Sequence, residues 1–458
     1  MSSLKFTDPR HWEALEKHLA GGVGERFAFA HTRYLQETST GPLLEVTGIE
    51  LIEDTDVTGN TTGWYLSDNA LDRVHNAALR GSYGLIEFHN HSVGPPRFSH
   101  IDKANIPPMA SYVASLIPDQ PYGAGVYAEG RVYVEHWTKD GNDIHRGEFR
   151  SVIVCGHQLR LVNAPAPTKR RRLARQDDLL GAWGSATLKG LRVAVVGLGG
   201  TGSHVALALA YLGVGELLLL DSDCVETTNL NRVVTAGVAD VGAPKTLVAR
   251  RRLREIDPGL RCTALAAITP DKPHPELEDV DLIVGCVDHD GPRDRLNQIG
   301  VDTATPYLDI ATGIDLDAEV PIIGGRVIFV RPGGPCLHCF DELDPMEVGR
   351  WAKDPSQQAL DRQHGYGTLE PDPAVVHLNG ITTYAAIGEL IAWIAGWRSP
   401  AQFLDIDLSG FLEQSPGTPG SRATPRRPSE PLFDCLSCSH LRGSPVMGQA
   451  TTAPRSKG

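Results

Sequence analysis

The sequence predicts an α/β protein made of two unlike halves: an N-terminal α+β domain followed by a doubly wound, mainly parallel sheet. Three features point this way. Before residue 163, short β-branched runs mix irregularly with helical stretches, as in α+β folds. After residue 175, strands and helices alternate regularly, as a parallel sheet with crossover helices requires. Between the two, the run NAPAPTKRRRLAR breaks the hydrophobic pattern with proline and a block of arginines.

The elements follow in order. HWEALEKHLA reads as a helix, and LLEVTGIELIE, GVYAEGRVYVEHW and SVIVCGHQLRLV read as strands. They form a first domain over residues 1–162. Residues 163–174 are expected to be a solvated linker. The second domain, 175–445, opens with the strand LRVAVVG and a helix beginning near Thr201 and Ser203. The strand ELLLLD, the helix KTLVARRRLREI and the strand DLIVGCV come next. SPGTPGSRATPRRPSE, residues 415–430, is expected to be a mobile loop, and 446–458 a disordered tail.

Composition bounds the function. The 458 residues allow two or three domains at about 150 residues each. A hydrophobic content of 41 % supplies more than one core, which excludes fibrous and disordered classes. The net charge of −13 gives no global drive toward nucleic acid or anionic lipid. The start MSSLKFTDPRHW lacks a signal-peptide pattern, and no window approaches the 18 or so apolar residues of a membrane span, so the expected compartment is the cytosol. Eight cysteines are too sparse for a disulfide scaffold, so their clustering points to metal or catalysis.

In EFHNHSVGPPRFSHID, residues 87–102, a strand through His89 and His91 projects both imidazoles from one face. Asp102 follows far enough behind for a loop and a helix start to return a carboxylate. Two imidazoles and one carboxylate are three of the four ligands of a catalytic zinc, leaving one position for water. The same residues also suit a polar strand face and a helix N-cap at Ser99, with an acidic residue three later. Spacing leaves both open. His-x-His, ten residues, Asp, with Ser three before the Asp, resembles the signature of JAMM/MPN-type (JAB) zinc isopeptidases across most of residues 1–160. The resemblance implies Zn2+ on His89, His91 and Asp102. It also implies a glutamate that activates the attacking water and passes the proton to the leaving amine. Glu25 is matched to it, with Glu37 and Glu45 as alternatives. Ser99 would donate to the developing oxyanion, a role worth on the order of 2.7–4 kcal/mol. Ser92 stands where that family commonly has proline.

Gly197-Leu198-Gly199-Gly200-Thr201-Gly202 follows a strand and opens a helix, where glycines let backbone approach a phosphate. Asp221 ends the next strand, placed to hold ribose hydroxyls. By themselves these residues indicate a nucleotide, with NAD the default. Arg232 and Lys245 beyond the carboxylate suit a triphosphate, and Asp288 on a third strand can carry Mg2+. Taken singly, each charge is also an ordinary surface residue. The ordered set GLGGTGS, DSDCVETTNLNR, Lys245 and Asp288, Arg293, Leu296, Asn297 resembles the ubiquitin-activating superfamily in its ThiF/MoeB-type form, over roughly residues 175–445. The resemblance implies a Rossmann-like adenylation domain. In it a carboxylate, usually the C-terminal glycine of a ubiquitin-fold protein, attacks the α-phosphate of ATP. Gly199 and Asp221 would hold adenosine, within a nucleotide set that includes Gly197, Gly200, Gly202 and Asp223. Asn229, Arg232 and Lys245 would bind phosphates, and Asp288 would bind Mg2+. Arg175 matches an arginine lent across a homodimer.

Cys336 and Cys339 in GGPCLHCF, with Cys435 and Cys438 in FDCLSCSH, have the spacing of a tetrahedral four-cysteine zinc site, a redox pair being the alternative. Of the other four, Cys155, Cys262 and Cys286 lie in apolar strand-like runs. Cys224 abuts the nucleotide carboxylates, whose field disfavours a thiolate. The crossover DRQHGYGTLEPDPAVV, where the superfamily's nucleophile sits, contains no cysteine. The expected enzyme therefore stops at the adenylate and hands it to an external thiol, amine, sulfur donor or conjugating enzyme. The whole-chain expectation is a bifunctional, bacterial-type enzyme that adenylates a ubiquitin-like protein and processes or releases it. The alternatives are sulfur-carrier activation and a non-catalytic binding scaffold.

Overall fold

The structure is a computed structural model. It describes residues 2–438 except 22–23, 40, 61–62, 92–93, 142, 166–170, 271, 273, 317–320, 354–355, 358–372, 410–427 and 434. Most of the expected mobile loop, all of the expected tail and most of the crossover at 361–376 lie outside the described residues.

The N-terminal half is one nine-stranded sheet with helices on both faces. Its strands are β1 (Ser3–Phe6), β2 (Phe27–Thr38), β3 (Gly41–Leu51), β6 (Gly84–Asn90), β7 (Tyr122–Ala128), β8 (Arg131–Asp140), β9 (Asp143–Glu148), β10 (Ser151–Cys155) and β11 (Leu159–Leu161). They run in the order β11-β10-β1-β3-β2-β6-β7-β8-β9, and β4 (Val57–Asn60) pairs separately with β5 (Gly63–Leu66). Helix α1 (Pro9–Ala20) starts where Asp8 caps it and Pro9 presets the first turn. Its Trp12, Leu15 and Leu19 pack on one face of the sheet with Phe6, Ile86 and Phe88. α2 (Asp68–Gly81) and α3 (His100–Leu116) cover the other face through Val74, Ala78, Ile106 and Val113 against Phe29, Leu85 and Val126. Two runs read as single strands fold as hairpins. Glu129 (φ +50°) and Gly130 (φ +78°) reverse the chain between β7 and β8.

The C-terminal half is a seven-stranded sheet, as the regular alternation predicts. It comprises β12 (Arg192–Val196), β13 (Glu216–Leu220), β14 (Arg261–Leu265), β15 (Leu282–Gly285), β16 (Tyr307–Asp315), β17 (Ile322–Val330) and β18 (Phe403–Asp407). The order is β14-β13-β12-β15-β16-β17-β18, with β14 through β16 parallel and the last two antiparallel. The helices are α4 (Ala174–Gly190), broken at Gly181, then α5 (Gly200–Leu212), α6 (Lys245–Ile256), α7 (Asp290–Asp302), α8 (Pro345–Trp351) and α9 (Val376–Ala395). Among the described residues, no helix is long and apolar enough to cross a membrane.

The halves are joined by more than a linker. Ile153, Leu159 and Leu161 of the first sheet share one apolar cluster with Leu188, Leu209 and Trp393 of the second half. Trp393 Nε1 donates to Gly156 O at 2.8 Å, and Gln158 Nε2 donates to Ile394 O at 2.8 Å. On the other side, the buried Lys5 ammonium donates to Thr303 O (2.8 Å) and Thr305 Oγ1 (2.6 Å), and Arg150 pairs with Asp281. Burial pushes the Lys5 amine down to about 8. The described end of the expected linker is docked rather than solvated. Leu173 is buried, and Arg172 donates to Ala210 O and Tyr211 O while pairing with Asp257. Carbonyls in the last turn of a helix have few intrahelical donors, and although Ala210 O also accepts from Gly213 N, a guanidinium there adds a donor and suits the helix dipole.

His136 on β8 supplies a pH test. Its ring is 4 % exposed and fills space that only Gly41 and Gly147 leave, and burial pushes its pKa down to about 4. The unfolded chain takes up this proton near pH 6.5, whereas the folded chain refuses it until about pH 4. Stability is therefore expected to fall as pH drops through that window, by about 3 kcal/mol from this ring alone. Urea unfolding at stepped pH checks it, and His136→Asn should flatten the slope.

Candidate nucleotide site and metal centres

The crossover from β12 leaves toward β13, and the crossover from β15 leaves toward β16, on opposite sides of the sheet. A crevice opens beyond the C-terminal ends of such a strand pair. The glycine turn sits there. Gly197 has φ +86°, and a Cβ on it would meet Cys286 O at 2.6 Å. A Cβ on Gly202 would lie 1.8 Å from Gly197 O, and one on Gly200 would lie 1.9 Å from Asn379 Nδ2. Nothing lies within 4 Å of the position a Gly199 Cβ would take. Gly197 and Gly202 are therefore required by backbone packing, Gly200 abuts the Asn379 amide, and Gly199 leaves the N-terminus of α5 open to an anion.

Asp221, just past β13, holds this turn. Its Oδ2 accepts from Leu198 N at 2.6 Å and its Oδ1 from Asp223 N at 2.7 Å. Burial pushes its pKa up against those bonds. Asp223 is exposed and pairs at 2.8 Å with Lys245 Nζ at the start of α6. Asn229 is buried and closes a 3-10 turn by accepting from Glu226 N, which presents Arg232 to solvent. Among the described residues the Arg232 guanidinium bonds only neutral oxygens, Thr228 O and Asn231 Oδ1. Asp288 follows β15 with its side chain 93 % exposed. Arg175 does not join this group within the chain. Its neighbour Leu173 packs on Gly213 at the far end of α5, about 20 Å from the glycine turn.

The loop carrying Asp288 is anchored beneath by charges. Arg293 pairs with Asp290, donates to Val287 O and lies 3.7 Å from Asp309. Asp309 is fully buried, accepts from Tyr307 Oη at 2.7 Å and faces Arg326, which also pairs with Glu342. Asn297, fully buried on α7, accepts from Leu337 N (3.0 Å) and donates to Ser437 Oγ (3.1 Å). It thereby ties both Cys-x-x-Cys loops to the helix that follows Asp288. The cysteine sulfurs lie 3.6 Å (Cys336–Cys435), 3.6 Å (Cys339–Cys438) and 3.9 Å (Cys336–Cys339) apart, all buried. A tetrahedral Zn–S bond of about 2.3 Å sets sulfurs about 3.8 Å apart, so the four thiols fit a structural zinc.

In the N-terminal half, His89 and His91 meet Asp102 at the start of α3. Asp102 Oδ2 accepts from Ser99 N at 2.6 Å and lies 3.5 Å from His89 Nε2 and 3.4 Å from His91 Nε2. Ser99 Oγ in turn accepts from Asp102 N, completing a capping box. The cap and the ligand cluster thus share one carboxylate. Both ring nitrogens of the buried His89 have no hydrogen-bond partner in the protein, a deficit in bonding that a metal ion would satisfy. Glu25 precedes β2, where the pairing of Phe27 with His89 carries it opposite His91. Burial raises its pKa against the pull of the two imidazoles. The alternatives lie elsewhere. Glu37 binds Tyr34 Oη about 30 Å along β2, and Glu45 is taken by Thr7 and Arg33. Ser92 lies outside the described residues.

Sequence reasoning passed over three residues. Glu87 shares the β6 face of His89 and is hydrogen-bonded by Tyr122 Oη at 3.0 Å; strand alternation alone signals it. Asp309 and Asn379 carry no local signal, since each matters only through partners on other elements.

The sequence profile described as the ThiF family matches residues 172–421, more than half of the chain. The sulfur carrier protein ThiS adenylyltransferase of Escherichia coli K12 is 30 % identical over 228 residues, covering 48 % of this chain and 84 % of that protein. The molybdopterin-synthase adenylyltransferase of the same organism is 35 % identical over 161 residues, covering 35 % of this chain and 62 % of that protein. The adenylyltransferase and sulfurtransferase uba4 of Aspergillus fumigatus is 32 % identical over 169 residues, covering 36 % and 34 %. The chain thus spans about a third of the fungal protein and less than two thirds of the molybdopterin enzyme.

Metal analysis of the purified chain is expected to give two zinc ions, one per cluster. His89→Ala should remove one, and Cys336→Ser the other with a Tm lower by several degrees. A single zinc in the unaltered chain leaves the histidine cluster a helix cap and nothing more.

Proposed function

The chain belongs to the ThiF family, and from that premise we propose that it adenylates the C-terminal carboxylate of a small sulfur-carrier or ubiquitin-like protein. The observation that carries this is the glycine turn, open at Gly199, with Lys245, Arg232 and Asp288 on the loops at the same sheet edge. A carboxylate oxygen of the carrier tail attacks the α-phosphorus of ATP, the bond to the β-phosphate oxygen breaks, and pyrophosphate leaves. The N–H groups opening α5 and the Arg232 and Lys245 cations would offset the charge that develops on the phosphate oxygens. Asp288 would hold Mg2+, which supplies charge neutralisation when bound. Relatives named for sulfur carriers favour that class over a ubiquitin-like one. Arg175 would serve a second copy in a homodimer, because within its own chain it lies away from the turn.

The acyl group would pass from the adenylate to an external acceptor. Cys155, Cys262 and Cys286 are buried, and burial pushes all three thiols up, to about 12, 11 and 12. Cys224 is the exposed thiol among the described cysteines and sits beside Asp223.

A second activity, zinc-dependent cleavage of the carrier's peptide or isopeptide linkage, is supported by the meeting of His89, His91 and Asp102 beside Glu25. Zinc bound there would supply Lewis acidity. Glu25 would take a proton at its carboxylate and return it to the leaving amine, and Ser99 Oγ–H would donate to the oxyanion. On this reading residues 1–162 form the hydrolase and 175–445 the adenylating domain.

ATP–pyrophosphate exchange with carriers ending in glycine is the test. Exchange is expected, lowered by about 10²–10³ in Lys245→Ala and Asp288→Ala. No exchange with any such carrier overturns the adenylation proposal. On non-reducing gels the chain should show no adduct sensitive to dithiothreitol, and a thioester on Cys224 would refute the external acceptor.

A further inference from the structure

A cavity of about 90 Å³ lies where the two halves meet. Arg33 and Glu45 line it from the first sheet, Thr305 from the turn after α7, Arg331 and Gly333 from the turn after β17, and Cys438 from the zinc loop. A buried water needs about 10–15 Å³ by this measure, so the space suits about six waters or one tetrahedral oxyanion.

The lining charges do not cancel. Glu45 is taken up by Arg33, which donates to it through Nε at 3.0 Å and through a second nitrogen, and by Thr7. Behind Thr305, the Lys5 ammonium is bonded only to neutral oxygens, and its acidic neighbours Asp281 and Glu45 are paired with Arg150 and Arg33. Arg331 is half-buried, its Nε is sealed from solvent without a hydrogen-bond partner, and among the described residues no carboxylate pairs with it. Burial depresses its pKa, with only the Cys155 thiol opposing. Arg331 thus faces the cavity without a carboxylate, and Lys5 adds a second positive charge behind its wall, at a point where a buried charge without a partner is costly. A guanidinium fork matches tetrahedral oxyanions better than it matches water.

We propose that this junction binds a small oxyanion of the phosphate class, held by Arg331 and bridging the N-terminal sheet, the turn after β17 and the zinc loop. The ligand would be free phosphate or pyrophosphate, and occupancy would fasten the halves together independently of catalysis. Arg331 lies on none of the loops assigned to the nucleotide.

Thermal melting of the full chain, with the nucleotide edge first filled by a non-hydrolysable ATP analogue, tests this with phosphate and pyrophosphate titrated separately. A saturable Tm rise of about 2 °C or more with either anion is expected, and the more effective anion identifies the source. Arg331→Ala should lose the rise, and Arg331→Lys should weaken the apparent affinity about tenfold. No rise in the unaltered chain, or an equal rise in both variants, overturns the proposal. If Arg331→Ala does not fold, the Arg331→Lys titration decides alone.

Discussion

Two parallel strands, β12 and β15, lie side by side and send their crossovers in opposite directions, so a crevice opens beyond their ends. Everything at the candidate nucleotide site follows from keeping that gap open. The first residues of α5 turn unpaired N–H groups into it. Gly197 and Gly202 let strand, turn and helix pack too closely for any Cβ, and Asp221 pins the turn to the next strand through Leu198 N. Arg232, Lys245 and Asp288 lie on the connections that follow β13 and β15, Lys245 opening α6. Asp309 and its two arginines hold the base of one of these, and Asn297 links it to the cysteine cluster. The cysteine cluster is thus continuous with the candidate nucleotide edge through a single helix.

The junction between the halves follows a different logic. One side of it is ordinary apolar packing around Trp393, which stabilises without directional demands. The other side buries Lys5, at a cost of about 3 kcal/mol to its charged form, given the fall of its pKa from 10.5 to about 8. Two hydrogen bonds to neutral oxygens offset part of that cost. A buried amine at one defined point fixes the register between two sheets in a way that grease cannot. Both candidate active sites consequently sit on one body, with the spacing between them set by packing rather than by linker length.

The second sheet was legible because its pattern is local: apolar runs of strand length, each followed by glycine or acid, then a helix. The glycines, Asp221, Lys245, Asp288 and the four clustered cysteines could be named from spacing because each lies at a fixed offset from an element end. The histidine cluster was half legible. Its spacing supported a cap and a ligand set alike, and the fold places the Asp102 carboxylate in the cap and against both imidazoles. Glu25 was harder, since its position depends on which residue of β6 its strand pairs with. Glu37 and Glu45 looked equivalent in sequence and are separated from the cluster only by register. The basic stretch before α4 read as solvated because arginines usually are; Arg172 instead docks on the carbonyls at the C-terminal end of α5.

The sequence by itself determined the alternating fold of the C-terminal half and the pairing of its cysteines into one cluster. It did so because strand period, glycine placement and ligand spacing are short-range properties of the chain. Tertiary structure alone decided that the halves share a core, that Asp309 and Asn297 brace the site, and that Arg331 lines a cavity with no carboxylate partner among the described residues. These rest on contacts between residues far apart in the chain, whose free energies depend on burial and on partners supplied by other elements. No window of sequence contains that information.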